Sequence, residues 1–144
     1  RSQAAEMFKG ADLSLLDRCY AALRSGQPLP DEARSHPTTQ MLASMPPEAL
    51  NYIRDIDTVD PCVAIAAALQ PALLVQGGRD QSVFPEQVDQ LAAARAGKPT
   101  KVEKFPELQH MYKRARPGLS AMESFMLATE TDPAVTQAIA NWIG

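Results

Sequence analysis

Hydrophobic positions in the first part of the chain recur at helical spacing and are interrupted by prolines. The first apolar stripe repeats every three to four residues, as one amphipathic helix requires, and Gly26 follows it as a C-terminal cap. Its members are Met7, Phe8, Ala11, Leu15, Cys19, Ala22 and Leu23. A polar, proline-rich segment over residues 27–39 predicts a surface loop. Short helices are expected over residues 40–45 and 47–54, because the proline pair between them prevents one continuous helix.

The next stretch changes from a helical pattern to a continuous apolar run. Asp60 and Pro61 are typical of an N-cap and a first helical residue, and they predict an alanine-rich helix that ends at Leu69. The apolar run over residues 72–75 is bounded by Pro71 before it and by a glycine pair after it. This pattern predicts a central strand of a parallel sheet, covered on both faces.

The remaining pattern continues the alternation of helix and strand. A helix that ends at Gly97 leads into a second strand over residues 100–105, which predicts a βαβ unit with a right-handed crossover. Charged side chains interrupt this strand, so we expect it near a sheet edge. A weakly periodic segment with a short helix near residues 121–127 follows. Asp132 and Pro133 then open a closing helix. The apolar face of this helix comprises Val135, Ala138, Ile139 and Trp142.

Composition and charge predict a soluble globular protein, and its length is that of a single domain. The chain has 144 residues and a net charge of −3 without a basic cluster, which argues against nucleic-acid partners and anionic membrane surfaces. No segment approaches the roughly 18 apolar residues of a membrane span. Cys19 and Cys62 are too few and too widely spaced for a disulfide framework or a metal site, so we expect buried thiols. We expect neither a metal ion nor a cofactor.

The beginning of the chain bears on the expected compartment. The sequence starts at Arg1 rather than at methionine, so we expect the natural start to be missing or processed. The lack of a recognisable targeting signal therefore leaves the compartment open, with the cytoplasm as the favoured interpretation.

An acid and a histidine follow the two predicted strands. Asp80 comes just after the first strand, and His110 comes just after the second. Ligands and catalytic groups of open α/β sheets lie at the carboxyl ends of the strands, which for parallel strands share one edge. We therefore expect Asp80 and His110 to lie close together, as two members of an acid–histidine–nucleophile triad.

The order of these motifs resembles the C-terminal half of an α/β-hydrolase, most of all the serine esterases and related acyl hydrolases of bacterial type. The motifs are Leu-Leu-Val-Gln-Gly-Gly-x-Asp at 73–80, Val-x-x-Phe-Pro-x-x-x-His at 102–110, and a last helix ending in Ile-Ala-Asn-Trp-Ile. The resemblance implies that Asp80 is the triad acid and His110 the base. It also implies a helical cap segment at residues 1–60 and part of the hydrolase core at residues 61–144.

The chain departs from this family in its nucleophile. The family's Gly-x-Ser-x-Gly motif precedes the acid along the chain, but no such motif precedes Asp80. A near match around Ser120 follows the histidine, lacks a preceding strand, and has Met122 where a very small residue is needed. Ser82 follows Asp80 within one turn, where we expect it to serve the hydrogen bonding of that turn. We therefore expect the nucleophile on a second chain or segment, such as an N-terminal half of the same protein.

The resemblance implies a serine hydrolase of carboxylic esters or related acyl bonds that acts on a small-molecule acyl ester, with this chain supplying Asp80 and His110 but not the nucleophile. The fold class expected is α/β, specifically the C-terminal portion of the α/β-hydrolase fold. Two alternatives stay open at this point. One is a non-catalytic assembly or binding module on the same scaffold. The other is an aspartate-nucleophile hydrolase of the dehalogenase or epoxide hydrolase type.

Overall fold

The computed structural model describes residues 10–144, apart from the side chains at positions 121 and 122. It is a mixed α/β structure with several helices and a two-stranded parallel sheet. The chain divides into two compact units, of which the first ends at Asp60 and the second is Pro61–Gly144. None of the helices in the described range has the length and apolar content of a transmembrane span.

The first unit consists of short helices. Helix α1 is Ser14–Arg24, a 3₁₀ helix is Asp31–Arg34, α2 is Gln40–Ala43, and α3 is Pro47–Asp57. The predicted break at the proline pair is confirmed, because α3 begins at Pro47, where a missing N–H costs no helical hydrogen bond. The predicted stripe on the first helix is confirmed from Leu15 onward, since α1 buries Leu15, Leu16, Cys19 and Leu23. Met7 and Phe8 lie outside the described residues.

The proline-rich segment 27–39 differs from the surface loop that its composition predicts. Ala33 and Thr39 within it are fully buried, and Ala33 packs in one apolar cluster with α1 and α2. The Thr39 hydroxyl donates to the Ala33 carbonyl oxygen at 2.9 Å, which satisfies a polar group that burial would otherwise leave unpaired. The segment therefore belongs partly to the core of the first unit.

The second unit contains the sheet. Its elements are α4 Pro61–Ala67, β1 Ala72–Gly77, α5 Glu86–Ala94, β2 Thr100–Phe105, α6 Ala121–Phe125 and α7 Pro133–Ile143. The predicted βαβ unit is confirmed, since β1 and β2 are parallel, with Ala72 opposite Thr100 and Gly77 opposite Phe105. The last residue of β1 thus lies opposite the last residue of β2. The loops that follow the two strands therefore lie side by side.

Strand β1 is less covered than its apolar sequence predicts. Leu73, Leu74 and Val75 are only half-buried rather than covered on both faces. In the described part of the chain β1 pairs with β2 alone, so no other strand continues the sheet beyond it. Within the described residues β1 is therefore not covered on both faces as predicted, and the reason is that no second strand flanks it.

Helix α7 begins as predicted but does not bury the whole predicted face. The Asp132 carboxylate accepts a hydrogen bond from the Ala134 N–H at 2.9 Å, which confirms the N-cap. Val135 is buried, whereas Ile139 and Trp142 are about 39% and 36% exposed. Packing within the second unit therefore buries only part of the apolar face of this helix.

A buried arginine connects the end of α4 to the beginning of the strands. The Arg95 guanidinium donates to the carbonyl oxygens of Ile65, Ala68 and Gln70 at 2.9, 3.1 and 2.6 Å. Its Nε donates to the Thr100 hydroxyl at 2.9 Å. These bonds satisfy carbonyl groups that a helix end leaves without partners, so a charged side chain is tolerated at 1% exposure.

The two cysteines differ in burial. Cys19 is fully buried, as predicted, and burial raises the pKa of its thiol. Cys62 is only half-buried, so the prediction of a buried thiol is wrong there. It lies in the first turn of α4, which buries none of its residues.

Candidate active site

The acid of the predicted pair lies in a tight turn after β1. One carboxylate oxygen of Asp80, Oδ1, accepts hydrogen bonds from the backbone N–H groups of Ser82 and Val83, both at 2.8 Å. This is an Asx turn, in which the aspartate side chain accepts hydrogen bonds from the backbone that follows it. These bonds fix the rotation of the carboxylate. Asp80 is only 7% exposed. Its second oxygen, Oδ2, is therefore presented in a defined direction.

The histidine lies in a hairpin-like turn after β2. The Tyr112 N–H donates to the Gln109 carbonyl oxygen at 2.8 Å, and the Gln109 N–H donates to the Lys113 carbonyl oxygen at 3.1 Å. Tyr112 has φ 54°, in the left-handed region that lets the chain reverse here. His110 therefore lies at the tip of a turn whose backbone is held by hydrogen bonds on both sides.

The structure brings the two residues into direct contact. His110 Nδ1 lies 3.0 Å from Asp80 Oδ2, although the residues are 30 positions apart. The His110 side chain is 44% exposed, whereas that of Asp80 is 7% exposed. A buried carboxylate thus holds one nitrogen of a solvent-accessible imidazole. Because Nδ1 is engaged, Nε2 is the nitrogen left for chemistry with another group. The catalytic roles of both residues stay a prediction.

Backbone contacts between the two loops hold the pair in register. The Gly78 N–H donates to the Phe105 carbonyl oxygen at 2.8 Å, and the Arg79 N–H donates to the Leu108 carbonyl oxygen at 2.9 Å. The first bond continues the parallel ladder one step beyond β1. The loop that bears the acid is therefore attached to the loop that bears the histidine through main-chain atoms.

Tyr112 adds a side-chain link that the sequence did not indicate. Its hydroxyl donates to the Val75 carbonyl oxygen at 3.0 Å, which joins the histidine turn to β1. Burial raises the pKa of the Tyr112 hydroxyl, and the negative charge of Asp80 acts in the same direction. The phenol is therefore a neutral donor at physiological pH. The position of Tyr112 two residues after His110 does not by itself distinguish a pocket-lining side chain from a surface one.

Gln109 is a second residue whose role was missed from the sequence. It is 1% exposed. Its amide oxygen accepts from the Met111 N–H, and its amide nitrogen donates to the Ser124 carbonyl oxygen at 2.7 Å. Both ends of the buried amide are thus paired, and the histidine turn is fastened to helix α6. No sequence signal distinguishes this glutamine from a surface one.

Neither Ser82 nor Ser120 forms a hydrogen bond with His110. The Ser120 hydroxyl lies 2.8 Å from the Glu123 carboxylate, and the same carboxylate accepts from the Ser120 N–H at 2.9 Å. This is a capping box at the start of α6 rather than a nucleophile elbow, because no strand leads into it. Ser82 contributes its backbone N–H to the Asp80 turn, in line with the hydrogen-bonding role expected there.

A shallow cleft of about 180 Å³ lies beside the acid. Its walls are formed by residues 78–81 and 115–119, with Ser124 at one side. Asp80 lines this cleft, but His110 does not. The cleft is therefore lined by the acid without the imidazole, so it has no part in the ester chemistry considered below. Within residues 10–144 no group of three or more His, Cys, Asp and Glu side chains is arranged to hold a metal ion.

Comparison with known proteins adds nothing to this geometry. No protein-family model, no curated protein and no solved structure matches the chain. The interpretation of the Asp80–His110 pair therefore depends on its geometry and on the strands that present it.

Proposed function

We propose that this chain is the C-terminal portion of an α/β-hydrolase-fold serine hydrolase that cleaves carboxylic esters or related acyl bonds. In this proposal residues 61–144 are part of the hydrolase core, and residues 1–60 are the helical cap segment. The observation that carries it is the 3.0 Å contact between His110 Nδ1 and Asp80 Oδ2 after two consecutive parallel strands. The substrate is a small acyl ester, and the reaction needs no cofactor.

The chemistry follows from the nitrogen that the acid leaves available. Nε2 of His110 takes the proton from the nucleophile's hydroxyl while its oxygen bonds to the acyl carbon, and the carbonyl becomes an oxyanion. Collapse of this intermediate breaks the bond to the leaving alcohol, which receives the proton from Nε2. Water then attacks the acyl–serine ester through the same proton transfers and releases the carboxylic acid. Asp80 stabilises the imidazolium that forms in each step.

The nucleophile is proposed to lie on a second chain or on a further segment of the protein. In the part of the chain that the structure describes, no serine hydroxyl hydrogen-bonds to His110. The apolar side chains of β1 are only half-buried, whereas parallel strands in known folds are covered on both faces. This difference supports the proposal that further structural elements pack against β1. A nucleophile-bearing strand and helix would supply both missing parts.

The first experiment labels the protein with a fluorophosphonate, which forms a covalent bond with an activated serine. The protein is prepared with every segment that its natural gene encodes, and intact masses are measured under denaturing conditions. The proposal expects the label on a serine outside residues 1–144. A label on Ser120 would contradict the placement of the nucleophile. A folded protein that takes up no label and hydrolyses no ester would contradict the serine hydrolase.

The second experiment compares His110→Ala with His36→Ala in the same preparation. His36 lies in the first unit, where its Nδ1 contacts the Thr38 hydroxyl at 2.8 Å, so it controls for loss of an imidazole. We expect His110→Ala to abolish both labelling and ester turnover with the fold retained, and His36→Ala to keep both. Turnover of epoxides or haloalkanes without labelling would indicate an aspartate nucleophile. Retained partner binding without any turnover would indicate an assembly module.

A further inference from the structure

We propose that Tyr112 is a positioning residue that holds the imidazole of His110 against the carboxylate of Asp80. Its consequence for catalysis rests on the proposed function. The contact itself needs no substrate, so it is tested separately from hydrolysis.

The phenol of Tyr112 reaches the strand that leads to the acid. Tyr112 lies two residues after His110, within the same turn, and its hydroxyl donates to the Val75 carbonyl oxygen at 3.0 Å. Val75 belongs to β1, the strand that leads to Asp80. One hydrogen bond therefore joins the element that carries the base to the element that carries the acid. Any movement of the histidine turn away from β1 has to break this bond.

The backbone of Tyr112 is held in a conformation that a non-glycine residue rarely adopts. Its φ of 54° is the only positive value among the described residues other than glycine. Such a conformation persists where its surroundings fix it, and such positions concentrate at functional sites. The Tyr112 carbonyl oxygen accepts from the Asp132 N–H at 2.8 Å, and its N–H donates to Gln109. The turn is thus fixed at both peptide groups and at the side chain.

The protonation state of the phenol suits this role. Burial of the ring raises the pKa of Tyr112 above its usual range, and the negative charge of Asp80 acts in the same direction. The hydroxyl therefore keeps its proton over the pH range in which a histidine base works, and it donates throughout that range.

The test measures which nitrogen of His110 carries the proton. A neutral imidazole whose Nδ1–H donates to a carboxylate is held in the Nδ1–H tautomer, and ¹⁵N NMR distinguishes the two tautomers. We compare the parent protein, prepared with every segment that its natural gene encodes, with its Tyr112→Phe variant above the pH at which imidazoles titrate. We expect the ratio of Nδ1–H to Nε2–H tautomers to fall roughly fivefold, the size that loss of a hydrogen bond of ordinary net strength produces.

The matched control is Tyr52→Phe, which removes the same atom from a residue that is 66% exposed on α3. We expect the tautomer ratio of this variant to equal that of the parent. A second variant, Tyr112→Asn, removes the phenol but tolerates positive φ, so it keeps the turn if Tyr112→Phe fails to fold. If Tyr112 positions the imidazole, the ratio of Nδ1–H to Nε2–H tautomers is lower in this variant too. An unchanged ratio in folded Tyr112→Phe or Tyr112→Asn would overturn the inference.

Kinetics provide an independent measurement in the protein that carries the nucleophile. A displaced base slows the chemical step without weakening substrate binding, so Tyr112→Phe should lower kcat and leave KM unchanged. If no ester is turned over by any variant, the proposed function fails while the tautomer result still decides the role of Tyr112. If esters are turned over and the tautomer ratio is insensitive to Tyr112, the function stands and this inference is wrong.

Discussion

Gly77 and Leu108 approach each other so closely that no side chain fits between them. A Cβ on Gly77 would lie 2.6 Å from the Leu108 carbonyl oxygen and 2.8 Å from the Gln109 carbonyl oxygen. A Cβ on Gly78 would lie 2.7 Å from the Pro106 Cα. The glycine pair is therefore required by the contact between the acid loop and the histidine loop, rather than by a positive φ.

Substituting Gly77→Ala should separate the two loops. The new methyl group meets backbone atoms that cannot rotate away, so we expect a loss of about 2 kcal/mol in the free energy of unfolding. Urea unfolding followed by the fluorescence of Trp142, the single tryptophan and part of the second unit, measures this loss. Gly144→Ala is the control, because its Cβ meets no atom within 4 Å. Equal stability of the two variants would contradict the steric account.

The sequence predicts the placement of Asp80 and His110 because two simple rules apply to them. An apolar run bounded by proline and glycine marks a strand, and parallel strands end at the same edge of a sheet. The βαβ unit and the N-cap at Asp132 follow from equally local signals, and the structure contains both. These features depend on residues that are close in sequence.

The features missed from the sequence depend on what surrounds a residue. Nothing in the segment 27–39 indicates that Thr39 is buried, because its burial depends on the tertiary packing of the first unit and not on its neighbours in sequence. The left-handed backbone of Tyr112 is equally invisible, since tyrosine has no preference for positive φ. The half-exposure of β1 likewise reflects the lack of a second neighbouring strand in the described residues, not the composition of the strand.

Under the proposed function, replacing the acid should impair ester turnover more than it impairs folding. In Asp80→Asn the amide keeps the shape of the carboxylate and can keep the turn bonds to Ser82 and Val83 through its oxygen. The amide nitrogen then faces His110 as a donor, which favours the wrong imidazole tautomer. We expect kcat to fall about 10³- to 10⁴-fold. The assay uses the protein prepared with every segment that its natural gene encodes, and circular dichroism checks the fold.

The control for this prediction is Asp55→Asn. Asp55 is an exposed carboxylate in the first unit that pairs with the neighbouring Arg54. The variant changes the net charge by the same amount as Asp80→Asn, so turnover should stay within about twofold of the parent if charge alone has little effect. A loss of turnover that is the same in both variants would argue against an orienting role for Asp80.

Acid should open the capping box of α6. The backbone N–H and then the hydroxyl of Ser120 hold the pKa of Glu123 below its usual value of 4.5. Because the folded pKa is depressed, the contribution to stability is present above the unfolded pKa and is lost as pH falls through the folded pKa. The Ser120 amide proton, followed by NMR from about pH 6 to about pH 2, should therefore shift with a midpoint below the usual glutamate value.

Glu123→Gln tests the assignment of that midpoint. The variant has no titrating group at this position, so the acid-dependent shift of the Ser120 amide proton should disappear. Glu48→Gln, which removes an exposed carboxylate from the first turn of α3, should leave the shift in place. A Ser120 titration that persists in Glu123→Gln would assign the effect to another carboxylate.

The buried guanidinium of Arg95 should be more important for stability than any exposed charge in the second unit. Arg95→Met keeps the aliphatic length but leaves the carbonyl oxygens of Ile65, Ala68 and Gln70 without these donors at a buried site. We expect a loss of about 3 kcal/mol in the free energy of unfolding, measured by urea with Trp142 fluorescence.

Two comparisons make the Arg95 prediction specific to its hydrogen bonds. Arg95→Lys keeps the charge but cannot reproduce the fork of donors that reaches three carbonyl groups, so it should restore less than half of the loss. Arg116→Met removes an exposed arginine from the same unit and should change the free energy by no more than about 0.5 kcal/mol. If Arg95→Lys were as stable as the parent, a positive charge near the end of α4 would be enough to account for the stabilisation that Arg95 provides. The geometry of the guanidinium bonds would then be irrelevant to how the helix is joined to the strands that position Asp80 and His110.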